Sequence, residues 1–329
     1  MGRSLYITEQ GATLGREGER LVVEKSGERL ADVPASKISR VFVFGNISVS
    51  TPAIAYLLRE GKDVAFLSSR GRYYGRLIST ESKNPGLKRA QLWATEDVDL
   101  SLTLARRFVR AKVQNQRRVL HRRPRARVST ATSELSALLA KAEGAANVRA
   151  LRGYEGSAAR VYFGVFGELL DGMEFSGRKR RPPPDPVNSL LSLGYTLLTY
   201  EAFSAVAAVG LDPYIGFFHA DSYGSPSLAL DIMEELRPTV VDTLVLGAIN
   251  TGRLRREDFD LSEETGESVA LLNAEARKKF LRLYENRMAT KITHLGRSMS
   301  YRAALHAQAR QVVNYIRSPS GGYEPILLK

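Results

Sequence analysis

One histidine and two acids stand close together in the chain, with types and spacing that suit a divalent metal ion. His219 ends a loop rich in Gly and Pro, and Asp231 and Glu234 follow in a short stretch with helical periodicity. Residues three apart share one face of a helix, so both carboxylates can face the histidine if this helix packs beside the loop. Mg²⁺ prefers carboxylate oxygens, and Mn²⁺ also accepts an imidazole. These residues therefore predict a site for Mg²⁺ or Mn²⁺.

A further acidic residue is expected in this site, because one histidine with two acids makes an incomplete ligand set. We select Glu155, which lies in a predicted helix among Gly153, Gly156 and Ala158. Small residues let a second helix approach closely, so we expect the acid between them to face a packed interface. Glu155 thereby joins the other three residues as a candidate catalytic group.

The same residues also allow a purely structural explanation. Ion pairs and buried hydrogen bonds employ the same residue types as metal sites. In this explanation His219 is a hydrogen-bonded core residue, and the acids pair with arginines: Asp231 and Glu234 with Arg237, and Glu155 with Arg152 or Arg160. The spacing alone leaves both explanations open.

The charge balance of the chain favours a polyanionic partner. The 329 residues include 48 Lys and Arg against 35 Asp and Glu, which gives a net charge of +13. Solubility of a small domain needs a net charge of only about 2 to 8. Lysines and arginines that neutralise phosphates release condensed counterions, so an excess of this size is typical of nucleic-acid binding. We therefore expect double-stranded DNA as a partner.

Two clusters carry much of this positive charge. Ten basic residues and no acid lie between Arg106 and Arg127, and a basic, Pro-rich loop follows at Arg178 to Pro186. Like charges on one helix repel, and a bound phosphate backbone would relieve that repulsion. The alternative is a basic face paired with acidic groups elsewhere in the protein. The predicted DNA contacts are Arg106, Arg107, Arg110, Arg117, Arg118, Arg122, Arg123, Arg178, Lys179, Arg180 and Arg181.

The absence of cysteine excludes several kinds of chemistry. With no Cys in the sequence, disulfides, thiolate zinc sites and cysteine nucleophiles are ruled out. The first residues lack an apolar run of signal-peptide length, and no stretch reaches the roughly 20 apolar residues that span a bilayer. We expect a soluble, cytoplasmic protein.

The pattern of elements predicts an α+β protein with a small N-terminal β-sandwich followed by a larger all-helical catalytic domain. Short apolar runs and a Ser26-Gly27 turn indicate strands in residues 1–85, with one helix that begins near Thr51. A linker is expected at 86–99, and a C-terminal tail at 318–329. Asn147 and Asn188 are candidate helix caps. Periodicity predicts helices in the catalytic domain, 100–317, at roughly 100–121, 132–143, 147–167, 188–209, 226–236, 238–248, 269–286 and 298–317.

Several ordered blocks of the chain resemble the universal CRISPR-associated integrase family of spacer acquisition. The blocks cover most of the sequence and match the family in order and in residue type, which makes the resemblance more specific than any single motif. They are Val41–Gly45, Leu151–Gly156, Asn188–Leu198, Gly210–Pro213, Gly216–His219 and Ser227–Pro238.

The resemblance implies a site and an assembly. By position, Glu155, His219 and Glu234 match the family's three metal ligands, and Asp231 matches an acidic residue beside them. It also implies a homodimer joined through the N-terminal domains. Together with the small CRISPR-associated partner Cas2, this dimer would form a heterohexameric integration complex.

The resemblance also implies the reaction. A metal-dependent endonuclease and integrase of CRISPR adaptation would join the 3′-hydroxyl ends of a DNA prespacer to the CRISPR repeat by transesterification. Two other functions are compatible with the residues. One is a stand-alone metal-dependent nuclease for branched DNA repair intermediates, and the other is a non-catalytic DNA-binding scaffold.

Overall fold

The structure is a computed structural model that describes residues 3–78, 84–122, 126–179, 182–219, 222–264 and 267–328. The chain forms two compact units. The first unit contains Met1–Glu81 together with Leu272–Glu285, and the second contains Ser82–Leu271 together with Asn286–Lys329.

The first unit is built on two four-stranded sheets. The strands are β1 Arg3–Ile7, β2 Thr13–Glu17, β3 Arg20–Lys25, β4 Glu28–Pro34, β5 Ile38–Phe44, β6 Ser48–Val49, β7 Asp63–Leu67 and β8 Tyr73–Leu77. One sheet has the order β1-β5-β7-β8, in which β1, β5 and β7 run parallel and β8 is antiparallel to β7. The other has the order β4-β3-β2-β6.

Both sheets contribute side chains to one hydrophobic core. Leu14 and Leu21 of the second sheet, Val41 of the first and Leu57 of helix α1 (Thr51–Arg59) are all fully buried in it. The β3 to β4 connection is the predicted Ser26-Gly27 turn, and both of its residues have positive φ, as a two-residue hairpin requires. The predicted strand-rich N-terminal region followed by a helix-rich region is confirmed.

Residues from far along the chain complete the first unit. Tyr6 stacks on Phe42 at 4.7 Å between ring centroids, and its hydroxyl donates a 2.6 Å hydrogen bond to Glu285. Glu285 lies in helix α9 (Ala274–Ala289), and Arg277 of the same helix donates to the carbonyl of Ser69. This helix therefore belongs in part to the N-terminal unit, which the sequence did not predict.

Helices dominate the second unit. Helix α6 (Pro186–Ala208) is mostly buried inside this unit, although its length and composition would suit a membrane span. It is therefore the core helix of the unit. The other helices are α2 Pro85–Glu96, α3 Val98–Leu120, α4 Ala126–Glu143, α5 Val148–Phe166, α7 Ser227–Met233, α8 Thr243–Asn250 and α10 Tyr301–Arg317.

The second unit is not all helical, which corrects the sequence prediction. A two-stranded sheet of β9 (Phe259–Glu264) and β10 (Glu267–Leu272) occupies part of the predicted helix 269–286. A hairpin of β11 (Lys291–His294) and β12 (Arg297–Ser300) takes the start of the predicted helix 298–317. Its turn places Leu295 and Gly296 at positive φ. Leucine rarely adopts this conformation, so the sequence carried no clear turn signal here.

The predicted helix 238–248 is also different in detail. Arg237–Asp242 is a π-helical segment, and regular helix resumes only at Thr243. Pro238 cannot donate a backbone hydrogen bond, which favours such an irregularity. Short π-helical segments are frequent at functional sites.

The expected linker and tail both have defined structure. Helix α2 fills most of the range 86–99, and its Gln91 side chain bonds to the backbone of Asp212 and Ile215. In the expected tail, Tyr323 and Ile326 are buried. These two residues are buried because a polar network holds the segment in place. The apolar content of the segment alone did not predict this burial.

This polar network is centred on the buried carboxyl of Glu235. It accepts hydrogen bonds from the Tyr323 hydroxyl at 2.6 Å, the Ile326 amide at 2.7 Å and the Gln308 side chain at 2.8 Å. The Asn115 side chain of α3 donates to the carbonyls of both Glu235 and Ile326. Burial raises the pKa of Glu235 to about 7, against the opposing effect of these hydrogen bonds. The segment 323–328 is thus an integral part of the second unit.

Replacing Tyr323 tests this role. Tyr323→Ala removes a buried ring that packs edge-on against Phe108 and is expected to lower the free energy of unfolding by about 3–5 kcal/mol. Tyr323→Phe removes only the hydroxyl bonded to Glu235, with an expected loss of about 1–3 kcal/mol. Denaturant unfolding measures both, with the exposed Ser320→Ala as control. Equal stability of Tyr323→Ala and the wild type would contradict the structural role.

Candidate metal centre and basic cleft

Three helices of the second unit bring two acids and one lysine together. Lys112 extends from α3, Glu155 from α5, and Glu234 follows the last residue of α7. The ammonium of Lys112 contacts Glu155 Oε1 and lies 2.5 Å from Glu234 Oε2. Glu234 and Lys112 are buried, while Glu155 remains partly accessible. The ammonium of Lys112 therefore joins two carboxylates that are 79 residues apart in the sequence.

Asp231 fixes the histidine beside this cluster. Its buried carboxylate accepts hydrogen bonds from the backbone amides of Phe217 (2.7 Å), Phe218 (2.9 Å) and His219 (2.8 Å). It also lies 2.6 Å from His219 Nδ1. The second ring nitrogen, Nε2, then faces Glu234 Oε1 at 3.8 Å. Holding one nitrogen of an imidazole in this way orients the other for binding.

The loop that carries His219 needs a glycine at its start. A Cβ on Gly216 would lie 2.7 Å from the Cβ of Ser227 and 2.9 Å from Asp231 Oδ2. No larger residue fits while Asp231 keeps its bonds to the loop. On the far side, the Arg152 side chain donates to the carbonyl of Phe218 at 2.8 Å. The imidazole is therefore placed by the packing of loop against helix.

The charges around Glu234 determine its protonation. Burial by itself would raise its pKa, but Arg237, Lys112 and His219 together hold the pKa at about 2. The Arg237 guanidinium lies 2.5 Å from Glu234 Oε1. Burial lowers the pKa of His219, and the hydrogen bond and charge of Asp231, with Glu234, raise it by more, so the net shift is upward. Glu234 is thus an anion at neutral pH and draws cations to itself.

A second buried acid interacts electrostatically with Arg237. Asp242, at the end of the π-helical segment, accepts hydrogen bonds from the hydroxyls of Tyr195 (2.5 Å) and Tyr162 (3.0 Å). Burial raises its pKa to about 6, although both tyrosines and Arg237 act in the opposite direction. The Tyr195 ring also lies 4.4 Å from the guanidinium of Arg237 and 5.4 Å from that of Arg178. This arrangement holds both arginines next to the acidic cluster.

An open cleft of about 500 Å³ adjoins these groups. Four of its lining side chains are basic, and the acids Glu155 and Asp242 lie in its wall. The basic members are Lys112, Arg160, Arg178 and Arg237. A cleft lined by both cations and carboxylates can take a phosphate together with a bridging cation.

Comparison with known proteins decides the family. The family model described as "CRISPR associated protein Cas1" matches residues 5–286. A relative from Thermus thermophilus, named CRISPR-associated endonuclease Cas1 3, is 40% identical over 330 residues, which cover 99% of this chain and 97% of the relative. The chain belongs to the Cas1 family of CRISPR-associated endonucleases.

Solved structures agree with the Cas1 assignment. A Cas1 protein from Thermotoga maritima is 27% identical, with a TM-score of 0.84 over 99% of this chain and 100% of that protein. A chain of a Cas6-RT-Cas1–Cas2 complex is 28% identical, with a TM-score of 0.84 over 97% of this chain. The present chain spans about a third of that longer chain, 35% of its length. The fold is therefore that of Cas1, and the protein is an enzyme of a nuclease family.

The structure places all four predicted catalytic residues of this Cas1 protein in one region. Glu155 and Glu234 share Lys112, His219 faces Glu234, and Asp231 holds His219. Among the described residues, no group of three or more His, Asp and Glu has the geometry to hold a metal ion. The ammonium of Lys112 lies between the two glutamates. The role of Glu155, His219 and Glu234 as ligands stays a prediction.

The close helix packing predicted around Glu155 is wrong at Gly153 and Gly156. A Cβ added to either glycine would meet no atom within 4 Å, and Gly156 lines the open cleft. The arginine partners considered for Glu155 were wrong as well, because its carboxylate pairs with Lys112. The pairing of Glu234 with Arg237 is confirmed.

Lys112 is the site residue that the sequence analysis missed. It was counted with the basic cluster of α3, yet its position falls on the buried stripe of this helix with Ala105, Phe108, Gln116 and Val119. A lysine at an apolar position of a helix was the available signal, since such a residue needs a buried partner. Asp242 carried no comparable signal, because its tyrosine partners come from distant helices.

The basic residues of α3 differ in their surroundings, and their role as DNA contacts stays a prediction. At about 100° per residue, Lys112 points away from the other basic side chains. Within the protein, Arg106 donates to the Ala145 carbonyl, Arg110 pairs with Glu143 at 3.3 Å, and Arg127 at the start of α4 pairs with Glu168 at 2.7 Å. Arg107 and Arg122 are exposed, and Arg117 and Arg118 are half-buried.

The predicted basic loop has both described and undescribed members. Arg178 bonds to the side chains of Asn188 (2.8 Å) and Ser192 (3.1 Å), so it is held at the cleft. Asn188 is not the cap of α6; Asp185 has that role and accepts from the amide of Asn188. Lys179 is exposed. Outside the described residues lie Arg123, Arg125, Arg180 and Arg181.

The raised pKa of Asp242 predicts a pH effect on stability. The pKa of Asp242 in the folded protein, about 6, exceeds the ordinary 3.8. Its contribution to the free energy of unfolding is therefore fully favourable below about pH 4 and is lost as the pH rises through about 6. Asp242→Asn lacks this titration. Between pH 4 and 7, stability is expected to shift in favour of the variant by up to about 3 kcal/mol.

Denaturant unfolding across this pH range measures the effect. The exposed Asp260→Asn exchange controls for the loss of one negative charge. Parallel stability curves for wild type and Asp242→Asn would disprove the assignment.

Proposed function

We propose that this Cas1 protein is a metal-dependent DNA endonuclease and integrase of CRISPR adaptation. The observation that carries the proposal is the joining of Glu155 and Glu234 through Lys112, with the Nε2 atom of His219 3.8 Å from Glu234 and with Glu155 in the wall of a cleft lined by basic side chains. Carboxylates attract a divalent cation, and arginines attract the phosphate that the cation would contact. A purely structural ion-pair network would not need an oriented histidine nitrogen at its edge.

The side chains fit Mg²⁺ or Mn²⁺ in chemical type. Two carboxylates supply the oxygen ligands that both ions prefer, and an imidazole nitrogen suits Mn²⁺ in particular. The bond from Asp231 fixes the orientation of this imidazole, as the second ring nitrogen of a metal ligand requires. Glu155, His219 and Glu234 would hold the cation, which would polarise the reacting phosphate and stabilise charge on its oxygens.

The reaction proposed is transesterification. The 3′-hydroxyl oxygen of a prespacer end forms a new bond to the phosphorus at the 5′ end of a repeat strand, while the bond from that phosphorus to the 3′-oxygen of the preceding, flanking nucleotide breaks. The proton of the attacking hydroxyl passes to the leaving oxygen through solvent. One phosphodiester replaces another, so no external energy source is required. Attack by water in place of the 3′-hydroxyl gives endonuclease cleavage.

The protein's own residues would position the DNA for this step. Arg178 and Arg237, both held against Tyr195, would bind phosphate oxygens at the cleft. Their hydrogen-bonded and stacked positions limit side-chain motion, which reduces the entropy cost of placing the phosphate.

The proposed partners are double-stranded DNA and other protein chains. A solved relative is part of a Cas6-RT-Cas1–Cas2 complex, which supports Cas2 as a partner of the present chain. We propose that the protein forms a homodimer through its N-terminal unit and joins Cas2 in a heterohexamer that acts in the cytoplasm. The net charge of +13 supports DNA as the substrate.

Substitutions of the proposed ligands test the reaction. Glu155→Gln, His219→Ala and Glu234→Gln are each expected to lower strand joining and cleavage with Mn²⁺ by at least about 100-fold, because each removes charge stabilisation of the reacting phosphate. DNA binding at the basic surface should remain. Gel assays of branched and linear DNA substrates measure joining, and fluorescence anisotropy measures binding.

The exposed Glu134→Gln exchange on α4 is the matched control and should keep full activity. Wild-type activity in two of the three variants would refute the proposed site. Cleavage of branched DNA without joining of any 3′-end would favour a repair nuclease. The absence of any metal-dependent reaction in the wild-type protein would favour a non-catalytic DNA-binding scaffold.

Two sets of arginines in or next to α3 and α4 test the DNA surface. Arg107 and Arg118 lie on one side of α3, and Arg122 follows the end of that helix. Replacing all three by Gln is expected to weaken DNA binding and reduce its salt dependence. Each lost phosphate contact should lower the slope of log K against log salt by about 0.9. In the matched control set, Gln replaces Arg106, Arg110 and Arg127. This removes the same charge from side chains that are already bonded within the protein.

The second set should have the smaller effect on the salt slope. Anisotropy titrations at several salt concentrations make the comparison, with thermal unfolding as a check on folding. An equal effect of the two sets would show that only net charge matters.

A further inference from the structure

The position of Lys112 is unusual among the basic residues of the second unit. Its side chain is 7% exposed, and its ammonium contacts acidic oxygens of both Glu155 and Glu234. It lies on the buried stripe of α3, whereas the other described basic residues of that helix are half-buried or exposed. Its location is therefore determined by the two acids.

A cation at this point is an electrostatic requirement. Glu234 is 2% exposed and Glu155 is 19% exposed, and without a shared cation the two carboxylates would face each other at short range. Buried like charges repel strongly because little water screens them. Arg237 compensates only Glu234, from the side of its other oxygen. The space between the two glutamates therefore requires one positive group, whether it is an ammonium or a metal ion.

We propose that the ammonium of Lys112 is an exchangeable resident cation, which occupies the metal position between Glu155 and Glu234 and leaves it when a divalent ion binds. The proposal rests on the proposed function, since it assumes that these glutamates are ligands. Lys112 thus keeps the site folded and charge-balanced before metal arrives. It also makes metal binding a competition, which lowers the apparent affinity of the ion.

The neighbouring cleft offers a place for the displaced ammonium. Lys112 lines this cleft together with Arg160, Arg178 and Arg237. A lysine side chain has four rotatable bonds, so its tip can turn from the glutamates to the cleft while α3 stays in place. There it adds a positive charge where the proposed substrate phosphate would lie. Departure of the lysine from the acids and arrival of DNA are therefore compatible.

The test combines Lys112→Met with two measurements that do not depend on activity. Methionine keeps the length of the apolar stem and removes the charge. In EDTA, thermal unfolding of Lys112→Met is expected at least about 5 °C below the wild type, because two buried carboxylates lose their shared cation. Excess Mn²⁺ should restore most of this loss. Titration of Mn²⁺, followed by the EPR signal of the free ion, should give at least about 10-fold tighter binding than in the wild type.

The exposed Lys141→Met exchange on α4 is the matched control and should change neither measurement. The double variant Lys112→Met with Glu155→Gln removes one of the facing charges, so it should unfold in EDTA at a temperature closer to the wild type. This variant keeps the test informative if the single variant does not fold in EDTA.

The outcomes separate this proposal from the proposed function. Unchanged or weaker Mn²⁺ binding in Lys112→Met, while Glu155→Gln and His219→Ala do weaken binding, would overturn the role of Lys112 and keep the metal site. Unchanged Mn²⁺ binding in Glu155→Gln and His219→Ala would overturn the metal site itself. Tighter binding in Lys112→Met with weaker binding in both ligand variants supports both.

Discussion

The burial of the Glu234 carboxylate is the constraint on which the functional region depends. An ionised carboxylate with 2% of its side chain exposed is costly unless nearby charges compensate it. Arg237 and Lys112 supply that compensation, each at one oxygen. Since Lys112 comes from α3, this single charge links the middle of the long basic helix to the end of α7.

The supporting groups follow from the same requirement. The arginine that neutralises Glu234 needs its own support, which Tyr195 provides through its ring and Asp242 through its charge. The π-helical segment carries both Arg237 and Asp242, so an irregular backbone places two groups that a regular helix would orient differently. Asp231 does the equivalent for the histidine by binding three consecutive amides of its loop. Short-range backbone geometry thus sets the positions of long-range charges.

The sequence predicted the elements better than the partnerships. The Ser26-Gly27 turn and the cap at Asn147 depend on a few neighbouring residues, and both are present. The hairpin at Leu295 was missed because it relies on a residue that seldom forms such a turn. The pairing of Asp231 with His219 was within reach of spacing arguments, whereas Glu155 joined the set through the family resemblance and a mistaken packing argument. Lys112 was predictable from its place on an apolar stripe, but Asp242 required knowledge of how α5 and α6 pack.

The bonding of Glu235 to the segment 323–328 has a consequence for biosynthesis. Glu235 adjoins Glu234 in sequence, and its carboxyl is satisfied by Tyr323 and Ile326, which the ribosome adds about ninety residues later. A nascent chain that already contains Glu155, His219 and Glu234 still has an unsatisfied buried acid beside them. Full assembly of the second unit therefore requires the segment 323–328, because a chain without it leaves the buried Glu235 carboxyl without its bonds to Tyr323 and Ile326.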